Sequence, residues 1–296
     1  MFDLRYHVAS LAAVFFALVV GILVGVALAS HGLGDSERDR LRENVRRAEA
    51  RADTLQGQVD ELGVSGEANS AFVDETYPLV MADRLRGKKI AVIFVGSLDE
   101  DVRSAVTRAL SDAHGGAPLR ISAVEVPIDE PAVTNRLANR PFLAAYAGRR
   151  QLEELGHALG QEFIAGDETP LWDALQSLIV EQTIGSANTA ADGVVIVRSA
   201  DAQPDPTASF LKGLYSGLRD VSVPAIGVEV TQGDGSSIAA FQRANLPTVD
   251  NVDMPAGKLA LVIMLSEPSL SGDFGTKSSA RDGLLPNVVP APATGG

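Results

Sequence analysis

From Val8 to Ala29 the chain reads VASLAAVFFALVVGILVGVALA, twenty-two residues without a charge and with Ser10 as the only polar side chain. At about 1.5 Å of rise per residue, a helix of that length crosses a hydrocarbon core of roughly 30 Å. The pattern predicts a membrane anchor. Its rivals are a buried helix of a soluble protein and a secretory signal peptide. Ala27-Leu28-Ala29 before Ser30 fits small-x-small cleavage, although the apolar run exceeds the usual region of about 7–15 residues. Within the run, Ala9, Ala13, Ala17, Gly21, Gly25 and Ala29 recur every four residues. That spacing lays small side chains along one stripe, with a Gly-x-x-x-Gly at Gly21 and Gly25, where a second helix approaches closely.

The polar stretch that follows has its own period. Leu41, Val45, Ala48, Ala52, Leu55, Val59 and Leu62 are spaced alternately four and three apart, with charged and polar residues between them. This is the seam of a coiled coil, and it predicts a homo-oligomeric stalk. An amphipathic helix packed on a downstream domain has the same spacing. Gly57 weakens the helix locally, and the two alanines weaken the seam.

Beyond Gly63–Gly66 the pattern becomes that of a globular domain. A linking helix is expected over Glu67 to Arg86. Strands follow at Lys89–Val95, Arg120–Val126, Gly193–Val197, Ala225–Val230 and Thr248–Val252. Helices alternate with them at Leu98–Ala113 (N-cap Ser97), Thr207–Arg219, Ser236–Ala244 and Ala256–Glu267, and a largely helical insert spans about 129–182. Continuous apolar strands alternating with helices indicate an α/β fold with a doubly wound, mostly parallel sheet covered on both faces. The chain then divides into an anchor (1–34), a coiled-coil stalk (35–66), an α/β domain (67–268) and a Gly/Ser/Pro-rich tail (269–296) expected to be extended or disordered.

Composition narrows the chemistry. There is no cysteine among the 296 residues, which removes disulfides, thiolate metal sites and cysteine nucleophiles. The net charge is −13, and all but −2 of it falls after residue 62, which argues against nucleic acid as a partner and against a domain lying on anionic lipid. The flanks of the apolar run leave orientation open. Arg5, His7 and the terminal amine stand before it, and Arg38, Arg40, Arg42, Arg46 and Arg47 alternate with acids after it.

Several segments together resemble the mycobacterial copper transport protein B family. They are the opening MFDLRYHVASLAAVFFALVVGILVGVALA, the Arg/Glu-rich stretch after it, GKKIAVIFVGS, GVVIVRS, AGKLALVIMLSE and the terminal GDFGTKSSARDGLLP. The resemblance covers nearly the whole chain. It implies an actinobacterial cell-envelope protein that limits intracellular copper as a channel-forming efflux component, with the globular domain outside the cytoplasm and the outer membrane as a candidate location. It brings no catalytic residues.

The residues themselves say little about copper. Soft sulfur ligands suit cuprous ion and imidazole suits cupric ion. Met1, Met81, Met254, Met264, His7, His31, His114 and His157 nowhere stand at M-x-M, H-x-M or H-x-x-x-H spacing. His31 and Asp35, four apart, would form a ring at one membrane exit of an oligomer and His7 at the other; interfacial histidines at a helix end are the plainer reading. An outer-membrane barrel needs at least about eight strands of roughly ten residues, more and longer than this chain offers. Three strand ends are polar and Gly- or Ser-rich, at Gly96-Ser97, Ser199 to Asp201 and Gly233 to Ser237. In doubly wound sheets ligands bind there, but Walker A, Gly-x-Gly-x-x-Gly and Gly-x-Ser-x-Gly motifs are all missing. Asp129-Glu130 and Glu153-Glu154 read as solvated helix positions. No catalytic, cofactor or metal-ligating residue is assigned, and the expectation is a non-enzyme. Three functions stand in order: a copper-homeostasis component with copper ions as cargo and lipid as its surroundings; an envelope scaffold or assembly factor; a tethered α/β enzyme.

Overall fold

The computed structural model describes residues 4–30, 34–166, 168–186, 189–198, 201–232 and 236–287. They fall into two compact units, Met1–Phe72 and Val73–Gly296. The first contains α1 (Leu4–Ser30) and most of α2 (Gly34–Met81), which runs unbroken through Gly63 and Gly66. Side chains 10–27 of α1 are all exposed, as suits an apolar helix whose partner is lipid or another helix.

The second unit is an α/β domain on a seven-stranded sheet ordered β3-β2-β1-β4-β5-β6-β7. Its strands are β1 (Ile90–Val95), β2 (Arg120–Val124), β3 (Val180–Gly185), β4 (Gly193–Arg198), β5 (Ala225–Val228), β6 (Thr248–Val249) and β7 (Asp273–Phe274). All neighbours are parallel except β2 and β3, which pair antiparallel from Arg120 opposite Gly185 to Val124 opposite Val180. The chain passes from β1 to β2 on one side and later inserts β4 on the other, so the sheet is doubly wound about β1.

The period-two alternation of the buried strands builds two cores. Ala91, Ile93, Val95, Val194 and Ile196 face one side, and Ile90, Val92, Phe94, Val195 and Val197 face the other. The second face is covered by α3 (Glu100–Asp112) and α9 (Pro255–Ser266), together with Met81 and Leu85. The first is covered by α4 (Glu130–Ala138), α5 (Leu152–Ala165), α6 (Pro170–Ile179), α7 (Thr207–Arg219) and α8 (Ile238–Arg243).

Four local differences from expectation have physical causes. Asp99, not Ser97, caps α3, because its carboxylate accepts both Asp101 N–H and Val102 N–H. The insert contains α4, α5 and α6, but its last residues form β3, exposed on both faces at the sheet edge, where no apolar alternation is needed. The segment after Ser269 holds β7 and continues onto the domain. Lastly, α5 and α7 approach so closely that only glycine fits between them. A Cβ on Gly213 would fall 1.9 Å from Glu153 O, one on Gly217 2.0 Å from His157 O, and one on Gly156 2.2 Å from Phe210 O. The pairs Gly156/Gly160 and Gly213/Gly217 thus form a reciprocal lock inside the water-soluble domain.

Candidate functional site

The residues expected to bring copies together lie in the first unit. Nothing stands within 4 Å of where a Cβ on Gly21 or Gly25 would sit, so the small-residue stripe is open. The seam of α2 is open as well, with Leu41, Val45, Leu55, Val59 and Leu62 between 47% and 71% exposed. Around it, Arg47 donates to Glu43 at 3.0 Å and Gln56 to Asp60 at 2.9 Å, both along the helix. These i,i+4 contacts support the helix but leave its apolar seam unsatisfied.

Metal donors are dispersed. His114 Nδ1 lies 2.5 Å from Asp83 Oδ1, and His157 Nε2 lies 3.2 Å from Asp220 Oδ2. The hydrogen bond from His114, followed by that from Arg86, holds the Asp83 carboxyl below its usual range; Arg219, ahead of His157, does the same for Asp220. Met81 and Met264 are fully buried in the core, and Met254 is exposed. Among the described residues no three His, Cys, Asp or Glu side chains converge. His31 and the side chains of His7 and Asp35 lie outside what the structure describes, as do Ser199 and Gly233–Gly235 of two strand-end loops.

The Gly- and Ser-rich strand end after β5 already contains an anion from the chain itself. Glu229, nearly buried just past β5, accepts Ser236 Oγ–H at 3.0 Å and Ser237 N–H at 2.8 Å. Lys277 closes the cluster, donating to Glu229 Oε1 at 2.6 Å and to Val230 O at 2.9 Å. Asp250, past β6 and 1% exposed, accepts Thr276 N–H at 2.8 Å and Lys277 N–H at 3.1 Å. Gly275 lets that backbone reach the carboxylate: its Cβ would fall 1.9 Å from Asp250 Oδ1, at a φ of +148°. Asp282 accepts Asp273 N–H at 2.8 Å, and Asp273 in turn accepts Thr248 Oγ1–H at 2.8 Å. The terminal GDFGTKSSARD is therefore a polar strap laced to the carboxyl ends of β5 and β6. Sequence reasoning missed it because a segment rich in Gly, Ser and charge lacks apolar periodicity; its density of Asp, Thr and Ser beside glycines was the available signal.

A long apolar helix charged only at Arg5, a polar helix with an open apolar seam, and a strapped doubly wound domain define a membrane-associated α/β protein. Residues 1–285 match the family described as "Copper transport outer membrane protein, MctB", and the chain belongs to that family. It is similar to proteins called "Copper transporter MctB" in Mycobacterium bovis and in two strains of Mycobacterium tuberculosis, each 25% identical over 314 residues, with 93% of this chain and 95% of the relative covered.

Proposed function

We propose that this chain is a single-pass, self-associating and non-enzymatic component of copper efflux in the cell envelope, with its α/β domain outside the cytoplasm. The reading is carried by one observation: in a chain of the copper transport family, the apolar α1 presents an open small-residue stripe. The open seam of α2 favours the same association. Helices joined at Gly21 and Gly25 and continued by the Leu41, Val45, Leu55, Val59 and Leu62 seam form an oligomer about a common axis.

Copper is cargo in this reading. The described His and Met side chains are dispersed or buried, so the contribution of the chain is to anchor and assemble. The sheet is open, with β3 and β7 as its edges and helices on both faces, so it does not act as a lipid-embedded barrel.

A deletion strain should accumulate copper and grow poorly at elevated copper; unchanged sensitivity and metal content would leave the scaffold reading instead. Replacing Gly21 and Gly25 by Ile should reduce chemical cross-linking of the full-length protein in membranes. Carboxyl-terminal reporter fusions should report a location outside the cytoplasm.

A further inference from the structure

Both α3 and α9 begin where a parallel strand ends, so their amino-terminal turns lie along the carboxyl edge of the sheet, the edge at which doubly wound folds bind ligands. Between them is a cavity of about 320 Å³, lined by Asp101, Ser104 and Arg108 of α3, Gln232 and Asp253 from the strand-end loops, and Lys258 of α9. Its volume falls at the small end of the roughly 300–1,000 Å³ range of ligand pockets.

Lys258 makes this cavity unusual. It is only 8% exposed, and no hydrogen bond or ion pair holds it among the described residues. It stands in the first turn of an otherwise apolar helix that no side chain caps, where a cation opposes the helix dipole. Arg108 adds a second positive charge and finds only Ser104 Oγ, at a long 3.4 Å. Two nearby carboxylates are engaged elsewhere, while no such contact holds Asp101 at the rim among the described residues. Asp253 accepts both Thr231 N–H at 2.7 Å and Thr231 Oγ1–H at 2.9 Å, and Asp112 accepts Tyr77 O–H at 2.9 Å. Burial and the neighbouring Arg108 push the Lys258 ammonium below its ordinary range, against the weaker pull of Asp112 and Asp253. Lys258 thus has carboxylates in its neighbourhood but no hydrogen-bond partner, and an oxyanion in the cavity supplies one.

Another cavity of the domain that also holds cationic side chains, about 480 Å³ beside α7, contrasts with it. There Arg198 donates to Asp201 O, Lys212 pairs with Glu153 at 2.8 Å and Arg243 donates to Ala239 O, so its cations already have partners.

The geometry points to a binding site for a small soluble oxyanion in the α3–α9 cavity, its phosphate or carboxylate group held by Lys258 and Arg108. Asp101 and Asp253 at the rim suit a hydroxyl donor elsewhere on the same ligand, so a hydroxylated organic phosphate fits better than a bare ion.

Calorimetric titration of the full chain in a non-ionic detergent, with glycerol 3-phosphate, inorganic phosphate and acetate in turn, tests the inference. Saturable binding is expected, tightest for glycerol 3-phosphate, weakened at least tenfold by Lys258→Met and at least threefold by Arg108→Gln with far-ultraviolet dichroism unchanged. Absence of saturable binding to the wild-type chain, or Lys258→Met titrating like it, overturns the site. Should Lys258→Met not fold, acetylation of Lys258 in the wild-type chain decides: slowing by glycerol 3-phosphate but not by choline chloride supports the site, and an equal rate overturns it.

Discussion

Single atoms decide whether glycine is required in this chain. On the α5–α7 contact an added methyl at Gly213 would fall 1.9 Å from Glu153 O, so the helices must separate to admit it. Gly213→Ala should destabilise the domain by about 1–3 kcal/mol, the usual penalty of overpacking, measured by denaturant unfolding. Gly57 is the opposite case, in mid-helix with nothing near its missing Cβ. Gly57→Ala should stabilise α2 by up to about 1 kcal/mol, visible as a rise in helical dichroism at elevated temperature. Tyr77 offers a pH-resolved test. Burial, reinforced by the hydrogen bond to Asp112, raises its hydroxyl above the ordinary 10.0, so the folded state keeps the proton longer than the unfolded one. The stabilisation is fully present below that ordinary value and is lost as pH climbs through the raised one. Tyr77→Phe should be weaker than wild type by about 1–2 kcal/mol at neutral pH, with the gap closing in strong alkali.

Among the elements, legibility followed burial. The strands β1, β4 and β5 were readable because they are apolar on both faces, β2 because Ile121, Ala123 and Val124 outweigh its polar Arg120 and Ser122, and α3 and α7 because each occupies a stretch between such strands. The edge strand β3 was not, since exposure on both faces leaves Glu181, Gln182 and Thr183 free of any core constraint. Two-residue β7 is too short to carry a period, and polar contacts hold it together with the buried ring of Phe274. The glycine lock was hidden for another reason: each Gly-x-x-x-Gly weakens its own helix, and only the facing pair explains it. In the candidate site, the serines at the start of α8 were legible as hydrogen-bonding groups, while the cation Lys277 that pairs with their occupant Glu229 comes from far along the chain. Lys277→Met would leave Glu229 at the strand end without its positive partner. A loss of about 2–3 kcal/mol is expected in thermal or denaturant unfolding, below the roughly 3–5 for a fully buried pair because the Lys277 side chain is 25% exposed.

For the whole molecule, the acidic domain and the apolar helix have opposite solvent preferences. Removing residues 1–30 should move the chain from the membrane fraction to the soluble one, as read by sedimentation of lysates. Removing residues 269–296, a segment that reads as a dispensable tail, should instead destabilise the domain, because it takes away β7, Lys277 and the backbone donors to Asp250. That dependence has a direction along the chain. Among the described strands β7 comes last, so a product cut short before Asp273 would hold every other strand and still lack Lys277 and the backbone donors to Asp250, leaving Glu229 and Asp250 short of partners beside an open β6 edge.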